Sequence, residues 1–545
     1  MTCGGGWRGR RWRIWSRPPL AGRNRPPPSG RFPGRLLNML RIRRTGGPDM
    51  TYRKSSPRPG RASDNEAPDR SAAARLAGEG LKKRGLRWMQ VHFTDLLGGL
   101  RSFSVPTRDL LSGKVWEDGI GIDGSSVRGF ARVESSDLRV VPDPGAFSVV
   151  TMRDGVVLAR AMGDIFEPRS GQRFEGDPRN IARRAMDAVR AAGFDGAGLS
   201  PELEFTVFRS LEESMLQNDL WGSPGANGAG SLRTVAALSG ADRTPRYILH
   251  PARSYMVPAP YDDTEDYRGE LATALEDIGV PVKFHHHENG LGQQEIEIMS
   301  MPDAVRMGDA CQTYKHLARV VGRRHGLLPT FMPKPIEADA GNGMHVHISF
   351  WRGGSNTFYD RDARYNMSQT MRYFIGGLLS HAGGTTAITN PTVNSYKRLV
   401  PQFEAPVYIA WSPVNRTVLV RIPARHSNPR SINCEPRHAD PSANPYLVFA
   451  VLLQSGLDGI RRKMEPGDPV NENIFHLTRE KIRALGVRRL PSSLGQALDE
   501  METDELARRA LGKHCYEHFL ELKRKEVQAH STAVTSWDHA MYFDV

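Results

Sequence analysis

Two stretches of this 545-residue chain alternate polar and apolar residues with a period of two, and in both the polar members include acids or imidazoles. In Glu202-Leu203-Glu204-Phe205 a strand places both glutamates on one face and Leu203 and Phe205 on the other. In His345-Val346-His347-Ile348-Ser349 the same geometry aligns His345, His347 and Ser349. Such segments build a sheet with one apolar face and one face carrying potential ligands. Each also has a plainer reading as the solvated side of a strand.

At this length a single hydrophobic core is not expected, and the chain reads as a mixture of strands and helices, an α+β protein. LRWMQVHFTD, LRSFSVP and VVLARAMGDIF read as strands of a first unit, with a glycine-rich loop, DGIGIDGSSVRGF, among them. A short helix-like stretch near Ala72 precedes them. Asp177-Pro178 caps a long amphipathic helix, PRNIARRAMDAVRAAG, which Gly193 ends. GLSPELEFTVF, VPVKFHHHENG, QQEIEIMS and MHVHISF read as strands. MPDAVRMGDACQTYKHLARVVGRRHG, MRYFIGGLLSHAGGTTAIT and NPYLVFAVLLQSGLDGIRRKM read as helices. Leu216 to Arg246 reads as an inserted loop, and the C-terminal segment as charged helices on a solvated exterior. The expected domains are 1–70, 84–170 and 172–545, with a boundary near Pro168–Gln172.

The net charge of +14 suggests a polyanionic partner until it is located. Met1 to Arg61 hold sixteen Lys or Arg and one acid, Asp49, a net of +15 that leaves −1 for the rest. The basicity therefore belongs to an Arg/Pro/Gly-rich tail expected to be disordered, and nucleic-acid binding is not expected of the body. The tail reads as a basic arm, as a transit peptide, or as an extension ahead of a start near Met39 or Met50, which is the preferred reading. Four scattered cysteines without a CxxC pair argue against a disulfide framework or a zinc site. With no apolar run of about 18 residues and no secretory segment, the expected location is the cytoplasm, with no membrane span.

Hard ligands recur elsewhere. His285-His286-His287-Glu288 is followed by Glu295 in GQQE, and NCEPRHADPSANP contributes Glu435. As a polar loop the histidine run needs no ligand. Taken with Glu202, Glu204 and His345, these oxygen donors with one or two imidazoles suit Mg²⁺ or Mn²⁺, two ions rather than a soft metal. Arg398, Arg416, Arg421, Arg430 and Arg437 follow one another closely, and their planar forks match carboxylate and phosphate oxygens. Acids and guanidiniums together suit a site that clamps a phosphoryl group in transfer.

In order along the chain, DGSS (123–126), ELEF (202–205), HHHE with GQQE, FMPKP (331–335), GMHVHIS (343–349), NSYKRLVP with FEAP (394–406) and NRTVLVRIP resemble the signatures of type I glutamine synthetases. The resemblance covers about residues 86 to 540. It implies an N-terminal β-grasp-like domain and a catalytic domain with a curved antiparallel sheet. It implies one metal on Glu204, Glu288 and Glu295 and a second on Glu202, His345 and Glu435. Glutamate would meet Gly341, Arg398 and Arg437, and the ATP phosphates His347, Ser349, Arg416, Arg421 and Arg430. Asp123 and Glu404 would form an ammonium pocket. The implied reaction is ATP-dependent ligation of ammonia to the γ-carboxylate of glutamate through γ-glutamyl phosphate, with Arg416 among the catalytic groups. The implied assembly is a homo-oligomer, a dodecamer of two hexameric rings with the DGSS loop reaching the neighbouring subunit's site.

Three positions depart from the family pattern. Ala340 stands before Gly341 where asparagine is usual, Arg430 replaces a lysine, and Phe475 occupies the place of a tyrosine that is adenylylated in some members. The short step from Glu288 to Glu295 resembles the subgroup without that control. Ala340 keeps open a γ-glutamyl-amine ligase of the same superfamily, acting on a polyamine or alkylamine. A relative that has lost catalysis would be expected to have lost metal ligands, and here all six positions hold competent ones.

Overall fold

The computed structural model describes residues 70–211, 253–401, 405–424 and 428–545. The basic tail, the Leu216–Arg246 insertion and Glu404 fall outside the described residues.

The helix Arg70–Lys83 leads into a five-stranded sheet formed by β1 (Trp88–Thr94), β2 (Leu100–Pro106), β3 (Ile120–Asp123), β4 (Asp137–Thr151) and β5 (Val157–Phe166). The order is β2-β1-β5-β4-β3, with β1 and β5 parallel and the other pairs antiparallel. The β1–β2 turn is tight because Gly98 takes φ +88° and the Asp95 carboxylate accepts from Gly99 N at 2.7 Å. Leu81, Met89, Val91, Val140, Ala161 and Ile165 close its core.

Two strands here escaped the sequence reading. IGID, expected within a loop, is the edge strand β3. β4 was hidden by Pro142 and Pro144, which break its alternation; the register with β5 shifts between Pro142 and Phe147, and that irregularity absorbs them.

The Asp177 carboxylate caps the next helix, Pro178–Ala191, by accepting from Arg179 N at 3.0 Å, and Gly193 follows it at φ +82°. The second sheet comprises β6 (Gly196–Phe208), β7 (Val282–His287), β8 (Gln293–Ile298), β9 (Leu328–Thr330) and β10 (Met344–Arg352), with the short strand Ser355–Asn356 at its edge. It runs β7-β8-β6-β10, all antiparallel, with β9 on the far end of β6. Leu203, Phe205, Ile296, Ile298, Val346 and Ile348 are fully buried on one face. The helices Ala304–Arg324 and Glu265–Asp277 belong to the same core. The apolar half of each alternation therefore makes the core and leaves the ligating half facing away.

The MRYFIGGLLSHAGGTTAIT segment, read as one helix, is two, Gln369–Ser380 and Ala382–Thr389. They meet at His381, whose ring is held between Asp458 at 3.1 Å and Asp504 at 2.9 Å. The C-terminal helices are less solvated than their charge suggested. Leu494, Ala497, Leu498 and Met501 form a stripe at helical spacing that is buried with Leu511 and Phe519.

Arg179 ties the two sheets' supports together. Buried among three aspartates, it donates to Asp164 at 2.5 Å and Asp143 at 2.8 Å on the first sheet, and twice to Asp309 at 2.9 Å on the Ala304–Arg324 helix. Arg179→Ala leaves those carboxylates without their common cation. A loss of about 3–5 kcal/mol is expected, seen as a lower thermal unfolding midpoint; an unchanged midpoint would remove Arg179 from this role.

Candidate active site

The outward face of the second sheet forms the floor of a cavity of about 740 Å³. Its register sets Glu202 opposite Glu297 and Glu204 opposite Glu295 across β6 and β8, and Glu202 opposite His345 across β6 and β10. Like charges directly opposed destabilise a sheet, so this floor is built for cations rather than for stability. Glu288, just beyond β7, joins the lining, and Arg398, Arg416, Arg421, Glu435 and Arg437 face it. Acids on the sheet thus confront guanidiniums from the chain between 398 and 437.

The second sheet is also tied to the Glu435 segment, because Ile348 of β10 pairs with Cys434. This brings Glu435 to the floor, where it accepts from Arg421 Nη1 at 3.1 Å and from Arg437 Nη1. His345 Nδ1 lies 3.1 Å from Glu202 and 4.0 Å from Glu435, and His347 Nε2 lies 2.7 Å from Glu202. Arg398 is buried and held by backbone carbonyls, donating to His438 O at 2.9 Å. Gly341 has no room for a side chain, since a Cβ would stand 2.7 Å from Pro333 O and 2.9 Å from Arg398 Cγ.

The electrostatics divide the carboxylates. Burial would raise Glu202, yet His347 and His345 outweigh it and hold its carboxyl well below the usual range. Glu435 is lowered likewise, with Arg437 and His347 overcoming burial. Glu295 goes well above the usual range through burial and then through Glu202, Glu204, Glu288 and Glu297. Glu204 and Glu297 are raised by burial first as well. These acids lack enough positive charge to be ionised together. Two groups, Glu202 with His347 and Glu435, and His286 with Glu295 and Glu297, each bring three ligand atoms within 4.8 Å of one another. Hard donors in charge-deficient clusters fit divalent cations.

All six carboxylate and imidazole positions expected to hold metal line this cavity, as do Gly341, His347, Arg398, Arg416, Arg421 and Arg437. The grouping differs from expectation in that His347 joins Glu202 and Glu435, while His286 and Glu297 join Glu295. Three positions are not brought to the lining. Ser349 accepts from Trp351 Nε1 at 3.0 Å, and Arg430 lies over the Trp351 ring at 5.1 Å. Asp123 is on the first sheet, accepting from the Ser125 and Ser126 hydroxyls at 2.6 and 2.7 Å.

Sequence reasoning missed Glu297, Lys283, Gln293 and Tyr255, which also line the cavity. The signal for Glu297 was present: in QQEIEI the alternation that selects Glu295 continues for one more step. Lys283 pairs with Glu297, which a register shift between Val282 and Phe284 makes possible. That irregularity has no sequence signature.

Comparison with known proteins follows the same lines. Residues 85–168 match the family description "Glutamine synthetase, beta-Grasp domain" and residues 175–542 "Glutamine synthetase, catalytic domain". A glutamine synthetase of Archaeoglobus fulgidus is 41% identical over 475 residues, spanning 85% of this chain and 96% of its own. One from Thermotoga maritima is 38% identical over 463 residues, spanning 85% of this chain and 97% of its own. Among solved structures, glutamine synthetase of Plasmodium falciparum superposes with a TM-score of 0.73 at 25% identity, covering 86% of this chain and 98% of that one. Ligand-free GmaS superposes at 0.71 with 27% identity, covering 86% and 99%. With both halves of the chain matched in order and an acid-floored, arginine-roofed cavity on the second sheet, this α+β protein belongs to the glutamine synthetase family.

Proposed function

We propose that this cavity is the active site of a glutamate–ammonia ligase, which phosphorylates the γ-carboxylate of L-glutamate with ATP and displaces phosphate with ammonia to give glutamine and ADP. The observation that carries this reading is the opposition of acids on β6, β8 and β10 to Arg398, Arg416, Arg421 and Arg437 within one cavity. The γ-carboxylate is a poor electrophile because oxide is a poor leaving group, whereas phosphate leaves readily. Arg398 and Arg437 hold the glutamate beside Gly341, whose missing side chain lets the substrate backbone approach. Arg416, Arg421 and His347 meet the polyphosphate, and guanidiniums neutralise the charge that develops on the transferring group. Mg²⁺ or Mn²⁺, one on Glu204, Glu288 and Glu295 and one on Glu202, His345 and Glu435, would supply the remaining positive charge.

Ammonia at neutral pH is mostly ammonium. Hydrogen bonds from Ser125 and Ser126 bring the Asp123 carboxyl down to about 2, so it is anionic at any working pH. Such a group attracts the cation well and accepts its proton poorly, which assigns proton removal to Glu404. That Asp123 does not line the cavity of its own chain supports a place for it at the site of an adjoining subunit. We therefore assign residues 84–170 to presenting that loop, 172–545 to the cavity, and the whole to a dodecamer of two hexameric rings. Among the described residues no helix is long and apolar enough to cross a membrane, and the cytoplasm is the proposed location.

The test is phosphate release from ATP and glutamate with ammonium, methylamine, ethanolamine or putrescine at equal concentration. Ammonium is expected to be the fastest acceptor. Faster turnover with putrescine or ethanolamine would reassign the protein as a γ-glutamyl-amine ligase, with Ala340 widening the acceptor side.

A further inference from the structure

A second cleft, of about 140 Å³, lies between β4 and β5 of the first sheet and the helix Ala304–Arg324. Arg160 of β5 lines it and is only 5% exposed, yet its Nε and Nη1 have no hydrogen-bond partner among the described residues. Asp309 also lines the cleft and attracts Arg160, but each buried donor left unmet is costly. The nearby carboxylate, Asp309, is already taken: it accepts twice from Arg179 at 2.9 Å and from the Tyr446 hydroxyl at 2.6 Å.

Among the described residues that line the cleft there is no further acid. His92 and His316, with ring centroids 5.2 Å apart, are lowered to about 3 and about 4 by burial and then by Arg160, so both are neutral. Arg306, on the helix side, also lines the cleft and increases the positive potential. Phe147, Met162 and Met301 make much of the remaining lining. The volume is well below that of cofactor sites, which run from roughly 300 Å³ upward. An inorganic oxyanion would satisfy the guanidinium but leave this apolar wall facing it.

We propose that this cleft binds a short aliphatic carboxylate, its carboxylate on Arg160 and its hydrocarbon against Phe147, Met162 and Met301. The site is separate from the acid-floored cavity and does not depend on the reaction assigned there. It lies where the first sheet meets the helix that carries Asp309, so an occupant bridges the two.

Calorimetric titration of the full-length protein with sodium butyrate tests this, at fixed ionic strength and with glutamate and ADP saturating the main cavity. Saturable binding with a dissociation constant in the millimolar range is expected. Arg160→Met is expected to weaken it at least tenfold, and Ser148→Phe, which keeps the arginine and fills the cleft, to do the same. If Arg160→Met does not fold, Ser148→Phe decides. Absence of saturable butyrate binding by the wild type overturns the proposal, as does unchanged affinity in the folded variants. Sulfate binding that depends on Arg160, without butyrate binding, would overturn the aliphatic assignment.

Discussion

Glu204→Ala is expected to lower ATP turnover itself, with glutamate and ammonium saturating, by roughly 10³-fold, the rate equivalent of losing several kcal/mol of charge stabilisation. The carboxylate is buried on the cavity floor opposite Glu295, accepting from Gly343 N at 2.8 Å and Gln293 Nε2 at 3.0 Å. Removing it takes away a proposed metal ligand and the acceptor of Gly343 N, while Gln293 Nε2 keeps Gly341 O at 3.1 Å and the apolar face of β6 stays intact. Phosphate release measured over a Mg²⁺ or Mn²⁺ titration checks this: both the maximum rate and the metal affinity should fall. Near-normal turnover at ordinary metal concentration would mean that Glu204 is a structural acid and that the ions, if bound, sit elsewhere.

Asp123→Ala should fail differently. Its proposed work, attracting the ammonium ion, begins after phosphoryl transfer, so glutamate and ATP binding should persist while glutamine formation falls by roughly 10–10²-fold, the scale of a lost charge attraction. If Asp123 serves a neighbouring subunit, rings assembled from equal amounts of the two inactive variants must recover activity. Random mixing in a ring with head-to-tail contacts restores roughly a quarter of the sites. No recovery in demonstrably mixed assemblies would exclude Asp123 from a neighbouring subunit's site, whatever the single variant does.

How much of this was readable in advance follows from periodicity. Glu202, Glu204, His345 and His347 were legible because strand alternation is strict and each stretch carried Leu, Phe, Val or Ile on its other face. Glu297 was legible by the same rule, one alternation beyond Glu295 in QQEIEI. β4 was not legible, since Pro142 and Pro144 look like a break and only tertiary pairing with β5 rescues them. The partners of Glu435 were beyond sequence too: the pairing of Cys434 with Ile348 across 86 residues decides them. The C-terminal stripe Leu494–Met501 was legible but outweighed by the surrounding charge.

The shared strands have a consequence for how such a site can change. Leu203 and Ile296 belong to the hydrophobic core and Glu202, Glu204 and Glu295 to the cavity, on the same backbone. A substitution that shifts a core side chain by a fraction of an ångström therefore moves a cavity acid as well, and most drift at these positions will be selected against twice. Arg416, which faces the floor, comes from a different segment and is not tied to that core face. Divergence is thus channelled away from the floor, whose chemistry stays fixed.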